Sequence, residues 1–184
     1  MSQNILFGVS TNRGSRSYQE DRFCIVESLP QSNYFFAGIF DGHGGSESAE
    51  YAAQNMNQKV DLLLSVNQEP LDALNSAFIT IDNEIHGLNL SDGTTASVVL
   101  IKDDNLFLAN VGDSAIAIKQ PDLPIRKLTV NHSITDSVEM TRYRSSSWFL
   151  EKSRLISRNI RQFKGLKLIS LSRSLGDMFF EDAI

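Results

Sequence analysis

The chain has 184 residues, 41% of them hydrophobic and 21% charged, which is the composition of a soluble globular protein with one sizeable core. Its net charge of −5 is uneven: residues 1–118 contain 15 acidic and 5 basic side chains, whereas residues 119–184 contain 7 and 12. The sequence has no membrane-length apolar run, no secretory N-terminus and only one cysteine, so we expect a single domain in the cytoplasm or nucleus, without membrane contact or an internal disulfide.

Three short segments near the N-terminus have the apolar, branched and aromatic composition of β-strands; they are residues 5–10, 22–29 and 34–40. Cys24, in the second of them, is predicted to be a buried thiol. An apolar face at three- and four-residue spacing then predicts a helix through residues 49–64. A second helix is predicted to begin at Leu71, just after Pro70.

The strand pattern returns after the second helix. Residues 94–101, 105–111 and 114–119 are predicted strands joined by turns short enough for hairpins. Strands, two helices and then more strands favour an α+β fold with antiparallel sheets and helices packed outside them, rather than alternating parallel βαβ units.

The segment 142–165 has no clean period and is rich in serine and basic residues. We predict a helix-containing flap. Its charge is either an ordinary solvated surface or a patch that attracts phosphorylated or acidic partners. No zinc-finger spacing or aromatic-interleaved basic repeat supports a nucleic-acid partner, so none is expected.

Acidic residues border two neighbouring predicted strands. Glu20 and Asp21 lie at the start of one strand, and Asp41 ends the next. Asp41 could offer a carboxylate and Gly42 a carbonyl to Mg²⁺ or Mn²⁺, which prefer oxygen ligands and retain several waters that Glu20 and Asp21 could orient. Aspartate and glycine are also ordinary turn residues, so the turn at Asp41 alone is weak evidence for a metal site.

Three further side chains extend this candidate site. Arg16 could present a planar guanidinium to a phosphate opposite the metals, or it could be a surface arginine paired with Glu20. His43 could donate a proton to a leaving alkoxide, or it could simply orient the turn. Asp113 adds another carboxylate at a strand end, or it serves turn geometry alone.

Five motifs occur in a fixed order along nearly the whole chain: Arg16 with residues 19–21, then residues 40–45, 93–96, 110–114 and 172–177. Together they resemble the metal-dependent serine/threonine protein phosphatases of type 2C. The resemblance implies that residues 1–184 form one partial domain of that kind. Its fold would be a sandwich of two antiparallel β-sheets flanked by helix pairs (α-β-β-α), incomplete at the C-terminal end.

The resemblance also implies a function, the hydrolysis of phosphoserine and phosphothreonine in proteins by a monomeric enzyme. The nucleophile would be a hydroxide bridging two Mg²⁺ or Mn²⁺ ions. Asp41 would bridge both metals, Gly42 would contribute its carbonyl, and Glu20 and Asp21 would hold metal-bound waters.

By the same resemblance, Arg16 would bind the substrate phosphate and His43 would be the general acid. Asp113 would belong to a weaker third metal position. The expected partner is therefore a phosphorylated protein.

Three departures from the family pattern keep other hypotheses open. The segment that precedes residues 172–177 is serine-rich and strongly basic here. Family members continue beyond the position of Ile184 through strands that carry further aspartate ligands, and the family's Asp-His-x-Pro element has Asn131 in its first position here. The alternatives are a catalytically impaired pseudophosphatase, acting as a phosphoprotein-binding or regulatory module, and a truncated gene product.

Overall fold

The structure is a computed structural model that describes residues 5–143, 148–151, 154–157 and 168–177. Twelve strands and three helices follow one another in these parts of the chain. They are β1 Arg22–Val26, β2 Phe35–Phe40, β3 Gly42–His43, α1 Glu47–Ser65, α2 Pro70–Gly87, β4 Gly93–Thr94, β5 Ala96–Lys102, β6 Asn105–Val111, β7 Ala117–Ile118, β8 Arg126–Lys127, α3 Ser137–Tyr143, β9 Trp148–Glu151, β10 Arg154–Ser157, β11 Leu168–Ile169 and β12 Leu175–Gly176.

The largest sheet has four antiparallel strands in the order β1-β2-β5-β6. Helices α1 and α2 pack against each other and against one face of this sheet. Because side chains alternate between the two faces of a strand, Phe36 and Phe40 of β2 point to the helices and are fully buried. Met56 of α1 and Ile81 of α2 are fully buried in the same core. The predicted α+β fold with antiparallel sheets is confirmed.

The described residues cover the other face of this sheet only in part. Phe23 and Ile39 on that face are 47% and 56% exposed. Residues 5–12 lie along it and line a 490 Å³ groove with Phe23 and Ile39. The prediction of a strand at residues 5–10 is wrong, because an extended segment becomes a strand only when its backbone pairs with a neighbour, and these residues lie along the sheet without joining a ladder.

Three short strands form a separate small sheet in the order β12-β4-β3. Gly93 of the central strand pairs with His43 on one side and with Gly176 on the other. This sheet therefore joins a turn near the N-terminus to the last described residues of the chain.

One prediction for the second half of the chain is wrong. After β6 the chain makes no hairpin at Gly112. Gly112 has φ +98°, and the next strand, β7, pairs with β8 instead. Within residues 142–165 the structure describes the end of α3 and the antiparallel strands β9 and β10, so these two strand segments are not helical. The rest of the predicted flap lies outside the described residues.

No helix in the described parts of the chain is long and apolar enough to cross a bilayer.

The contribution of the α1–α2 core to stability can be measured at Ile81. The substitution Ile81→Val removes one buried methylene group, and we expect it to lower the free energy of unfolding by about 0.5–1.5 kcal/mol. Ile79 lies on the same helix but is 45% exposed, so Ile79→Val is expected to change stability by less than about 0.5 kcal/mol. Urea denaturation of both variants measures these changes. Equal losses in the free energy of unfolding would contradict the burial of Ile81 in the α1–α2 core.

Candidate active site

A 320 Å³ cleft lies where the N-terminal loop meets the turn between β2 and β3. Six of the seven predicted site residues line it: Arg16, Glu20, Asp21, Asp41, Gly42 and His43. The seventh, Asp113, is not part of the lining, but it lies near enough for its charge to act on Asp41. Arg13 and Tyr18, which the sequence did not single out, also line the cleft.

Asp41 is held at the junction of the two sheets by backbone hydrogen bonds to Thr95. Its N–H donates to the Thr95 hydroxyl at 3.1 Å, and its carbonyl accepts from the Thr95 N–H at 2.9 Å. The Thr95 hydroxyl is also 2.7 Å from the hydroxyl of Ser114. These bonds fix the backbone, and the half-buried Asp41 side chain lines the cleft beside Asp21.

Gly42 is a glycine for steric reasons. A Cβ atom at this position would lie 2.7 Å from the backbone oxygen of Glu20 and 3.0 Å from that of Gly45. Both neighbours are backbone atoms that cannot rotate away. The close approach brings the Glu20 segment against the Asp41 turn and so assembles the acidic side of the cleft.

The carboxylates of this cleft repel one another. Burial raises the pKa of the Asp41 carboxyl, and the charge and hydrogen bond of Asp21, together with the charge of Asp113, raise it further, while His43 acts in the opposite direction. A divalent cation would relieve this repulsion, so the residues present fit a metal ion.

The direct ligands that the cleft offers are few. Among the described residues, no three side chains of His, Cys, Asp or Glu are placed to hold a metal ion by themselves. Mg²⁺ is commonly held by one or two carboxylates and retains several waters, which matches what Asp41 and Asp21 can provide.

Arg16 lies at the mouth of the cleft. Its guanidinium is 3.6 Å from the Glu20 carboxylate, so the ion pair considered from the sequence is present. The Arg16 side chain is 78% exposed, and an exposed pair of this kind contributes less than about 1 kcal/mol. Glu20 also accepts a hydrogen bond from the Gly45 N–H at 3.0 Å. Arg16 can therefore exchange its partner for a phosphate at little cost.

His43 contacts a residue for which the sequence gave no role. Its Nε2 atom lies 2.7 Å from Oδ2 of Asp177, which is 134 positions further along the chain. Burial alone lowers the pKa of His43, but the hydrogen bond and charge of Asp177, with the charges of Asp41 and Asp92, raise it above its ordinary value. The folded environment therefore stabilises the protonated imidazole of His43 relative to that of a free histidine.

Asp92 is a second residue that the sequence interpretation missed. It is buried, and its carboxylate accepts hydrogen bonds from the N–H groups of Glu47 and Ser48 at 2.7 and 3.3 Å and from the Ser48 hydroxyl at 2.7 Å. Ser46, the residue at the N-cap of α1, makes no side-chain capping bond. Asp92 therefore caps α1 from another part of the chain and holds the helix that follows the Asp41 turn.

Comparison with known proteins identifies the family. The chain matches the protein-family model described as Protein phosphatase 2C over residues 5–184. It therefore belongs to the protein phosphatase 2C family, a metal-dependent family, and the resemblance stated from the sequence motifs is confirmed.

Curated relatives match over most of this chain. Protein phosphatase 1K, mitochondrial, from Xenopus laevis is 30% identical over 180 residues, which cover 93% of this chain and 46% of that protein. Protein phosphatase 2C homolog 1 from Saccharomyces cerevisiae is 28% identical over 200 residues, which cover 96% of this chain and 67% of that protein. The chain thus spans from about half to about two thirds of the length of these relatives.

Two solved structures share the fold. The serine-threonine phosphatase 2C from Toxoplasma gondii has a TM-score of 0.76 at 19% identity and covers 92% of this chain and 67% of that one. A Caenorhabditis elegans sex determining protein has a TM-score of 0.73 at 24% identity, with 92% and 44% covered. At these identities the likeness establishes the fold alone.

Proposed function

We propose that this chain is a metal-dependent hydrolase that removes phosphate from phosphoserine and phosphothreonine in proteins. The observation that carries the proposal is the convergence of Asp41, Asp21, Arg16 and His43 on one 320 Å³ cleft. A guanidinium and several carboxylates that line the same cleft suit a phosphate bound between the guanidinium and metal ions.

Each residue would have a role in this proposal. Asp41 and the carbonyl of Gly42 would hold the Mg²⁺ or Mn²⁺ ions, Glu20 and Asp21 would orient waters bound to them, and Asp113 would belong to a weaker, third metal position. When bound, the metal ions supply activation of the attacking water and neutralise part of the phosphate charge.

Arg16 binds the phosphate in this proposal, and its guanidinium fork matches two phosphate oxygens. His43 donates the proton that the leaving serine or threonine oxygen needs. The monomeric state, the absence of nucleic-acid or membrane partners, the cytoplasmic or nuclear location and the flap at residues 142–165 stay predictions from the sequence.

Arg16 provides a test of the phosphate-binding side. We expect Arg16→Ala to lower kcat/KM for a phosphothreonine peptide by about 10- to 100-fold in Mn²⁺, because one charged hydrogen-bonding group is lost. Arg126→Ala, at an exposed arginine on β8, is the matched control and should leave kcat/KM within about twofold. If the two substitutions changed kcat/KM equally, Arg16 would not be the residue that binds the phosphate.

A second candidate function is that of a phosphoprotein-binding module without catalysis. The small number of direct metal ligands among the described residues supports it. It keeps the phosphate-binding role of Arg16 and dispenses with hydrolysis. A chain that binds the phosphothreonine peptide in an Arg16-dependent way, but releases no phosphate in Mn²⁺, would favour this second function.

A further inference from the structure

The small sheet β12-β4-β3 places His43 and Asp177 on opposite sides of Gly93. On central strand β4, Gly93 pairs with His43 of β3 and with Gly176 of β12. Asp177 follows β12 directly, and its side chain reaches across the glycine to the imidazole, where Oδ2 lies 2.7 Å from Nε2. The contact joins two strands that are each only two residues long.

The Asp177 carboxylate is fixed from several directions. The residue is only 6% exposed, and its backbone N–H donates to the Asp92 carbonyl at 3.1 Å. The Ser174 hydroxyl donates to the same Oδ2 atom that contacts His43. Asp177 also has φ +50°, a left-handed conformation that residues with a side chain adopt uncommonly. The Asp177 carboxylate is therefore held in place by the residues around it.

Gly93 is what makes the contact possible. A Cβ atom at this position would lie 2.5 Å from Cγ of Asp177 and would overlap its carboxylate oxygens. The carboxylate therefore occupies the space that a side chain on β4 would fill. A methyl group there would push the carboxylate away from His43.

We propose that Asp177 is a positioning residue for His43. By accepting a hydrogen bond from Nε2–H, Asp177 fixes the orientation and tautomer of the ring, so Nδ1 is the nitrogen left to serve the leaving oxygen. A carboxylate on one ring nitrogen is an established way to orient an imidazole whose other nitrogen transfers a proton. The inference rests on the proposed function, in which His43 is the general acid.

Hydrolysis of a phosphothreonine ester depends on this geometry when the leaving oxygen takes its proton. The oxygen of water bonds to phosphorus as the bond from phosphorus to the threonine oxygen breaks. The electron pair stays on the threonine oxygen, which takes a proton from Nδ1 of protonated His43. Neutral His43 keeps its Nε2–H on Asp177 and regains a proton from solvent, while the attacking water loses one proton to solvent. One ester and one water give one alcohol and one phosphate.

A pair of substrates tests the inference. Asp177→Asn is expected to lower kcat for a phosphothreonine peptide by about tenfold or more with KM nearly unchanged, because an alkoxide must be protonated as it leaves. Hydrolysis of p-nitrophenyl phosphate by the same variant should stay within about twofold, because nitrophenolate leaves without a proton. Gly93→Ala should give the same substrate-selective loss. Equal losses on both substrates, or an unchanged kcat for the peptide, would overturn the inference.

His86 provides the control. Its Nε2 atom lies 2.9 Å from the carbonyl of Gly176, so it touches β12 without lining the cleft. Any effect of His86→Asn should fall equally on the two substrates. A peptide-selective loss in His86→Asn would show that disturbance of β12, and not the carboxylate of Asp177, produces the selectivity.

Nuclear magnetic resonance separates this inference from the proposed function. The chain has three histidines, so long-range ¹H–¹⁵N spectra at a pH where the imidazoles are neutral can be assigned with His43→Asn. We expect His43 to carry its proton on Nε2 in the wild-type chain and to lose this preference in Asp177→Asn. A wild-type His43 protonated on Nδ1 would overturn the inference, whatever the activity. Absence of phosphate release with the Nε2–H tautomer present would reject the proposed function alone.

Discussion

Asp41→Asn is expected to make the metal-free chain more stable and to abolish its response to Mn²⁺. The folded chain raises the pKa of Asp41 above its unfolded value through burial and the charges of Asp21 and Asp113. A group of this kind stabilises the fold below its unfolded pKa, and that contribution is lost as the pH rises through the folded pKa. Wherever this carboxyl is ionised in the folded chain, its charge therefore destabilises the fold, and asparagine removes that charge.

The measurement is thermal unfolding with and without Mn²⁺. Without metal we expect the Tm of Asp41→Asn to exceed that of the wild type by about 1–3 °C, since the carboxylate keeps contact with solvent, which limits its contribution to less than about 1 kcal/mol. The difference should vanish at acidic pH, where the wild-type carboxyl is protonated. With Mn²⁺ at about 100 times its Kd the wild type should gain about 2.7 kcal/mol, and the variant should gain almost nothing.

The turn residue Asp122 is a suitable control because it is exposed and has φ +60°, a conformation that asparagine tolerates equally well. Asp122→Asn should leave the Mn²⁺ response intact. If Asp41→Asn retained the wild-type gain in Mn²⁺, Asp41 would not be a metal ligand.

Asp92→Ala is expected to lower the free energy of unfolding by about 3 kcal/mol, because it leaves buried N–H groups at the start of α1 without their acceptor. For a domain of this size that corresponds to a fall in Tm of about 6–12 °C. Because α1 follows the turn that contains Asp41, phosphate release should fall together with the helix signal in circular dichroism during heating.

Asp72 is the matched control for Asp92. It lies in the first turn of α2 but is exposed, so Asp72→Ala should cost less than about 1 kcal/mol, the size of an exposed helix-dipole effect. If Asp92→Ala and Asp72→Ala lowered the free energy of unfolding by similar amounts, Asp92 would not be the cap of α1.

The sequence predicted α1, α2 and the longer strands because their signals are local. The spacing of apolar residues through Ala49 and Leu64 matches α1 at Glu47–Ser65, and Pro70 marks the start of α2. Residues 5–10 have the same composition as true strands, but pairing depends on a neighbour distant in sequence, which composition cannot supply.

The candidate site was predictable to the extent that its residues are close in sequence. Arg16, Glu20 and Asp41 lie in two nearby loops, and the cleft brings them together as expected. The contact of His43 with Asp177 depends on β3, β4 and β12, which have two residues each and so leave no periodic signal. The capping bonds of Asp92 likewise join residues more than 40 positions apart. The sequence shows that Asp177 follows Gly176, but it does not show that the Asp177 carboxylate contacts His43.

The most direct test is phosphate release from a phosphothreonine peptide by the wild-type chain and by Asp41→Asn, measured in Mn²⁺ and again after chelation with EDTA. We expect release by the wild type in Mn²⁺ only, and none above background by Asp41→Asn under either condition. Release that persists in EDTA, or that is equal for the two proteins in Mn²⁺, would contradict a metal-dependent phosphatase centred on Asp41.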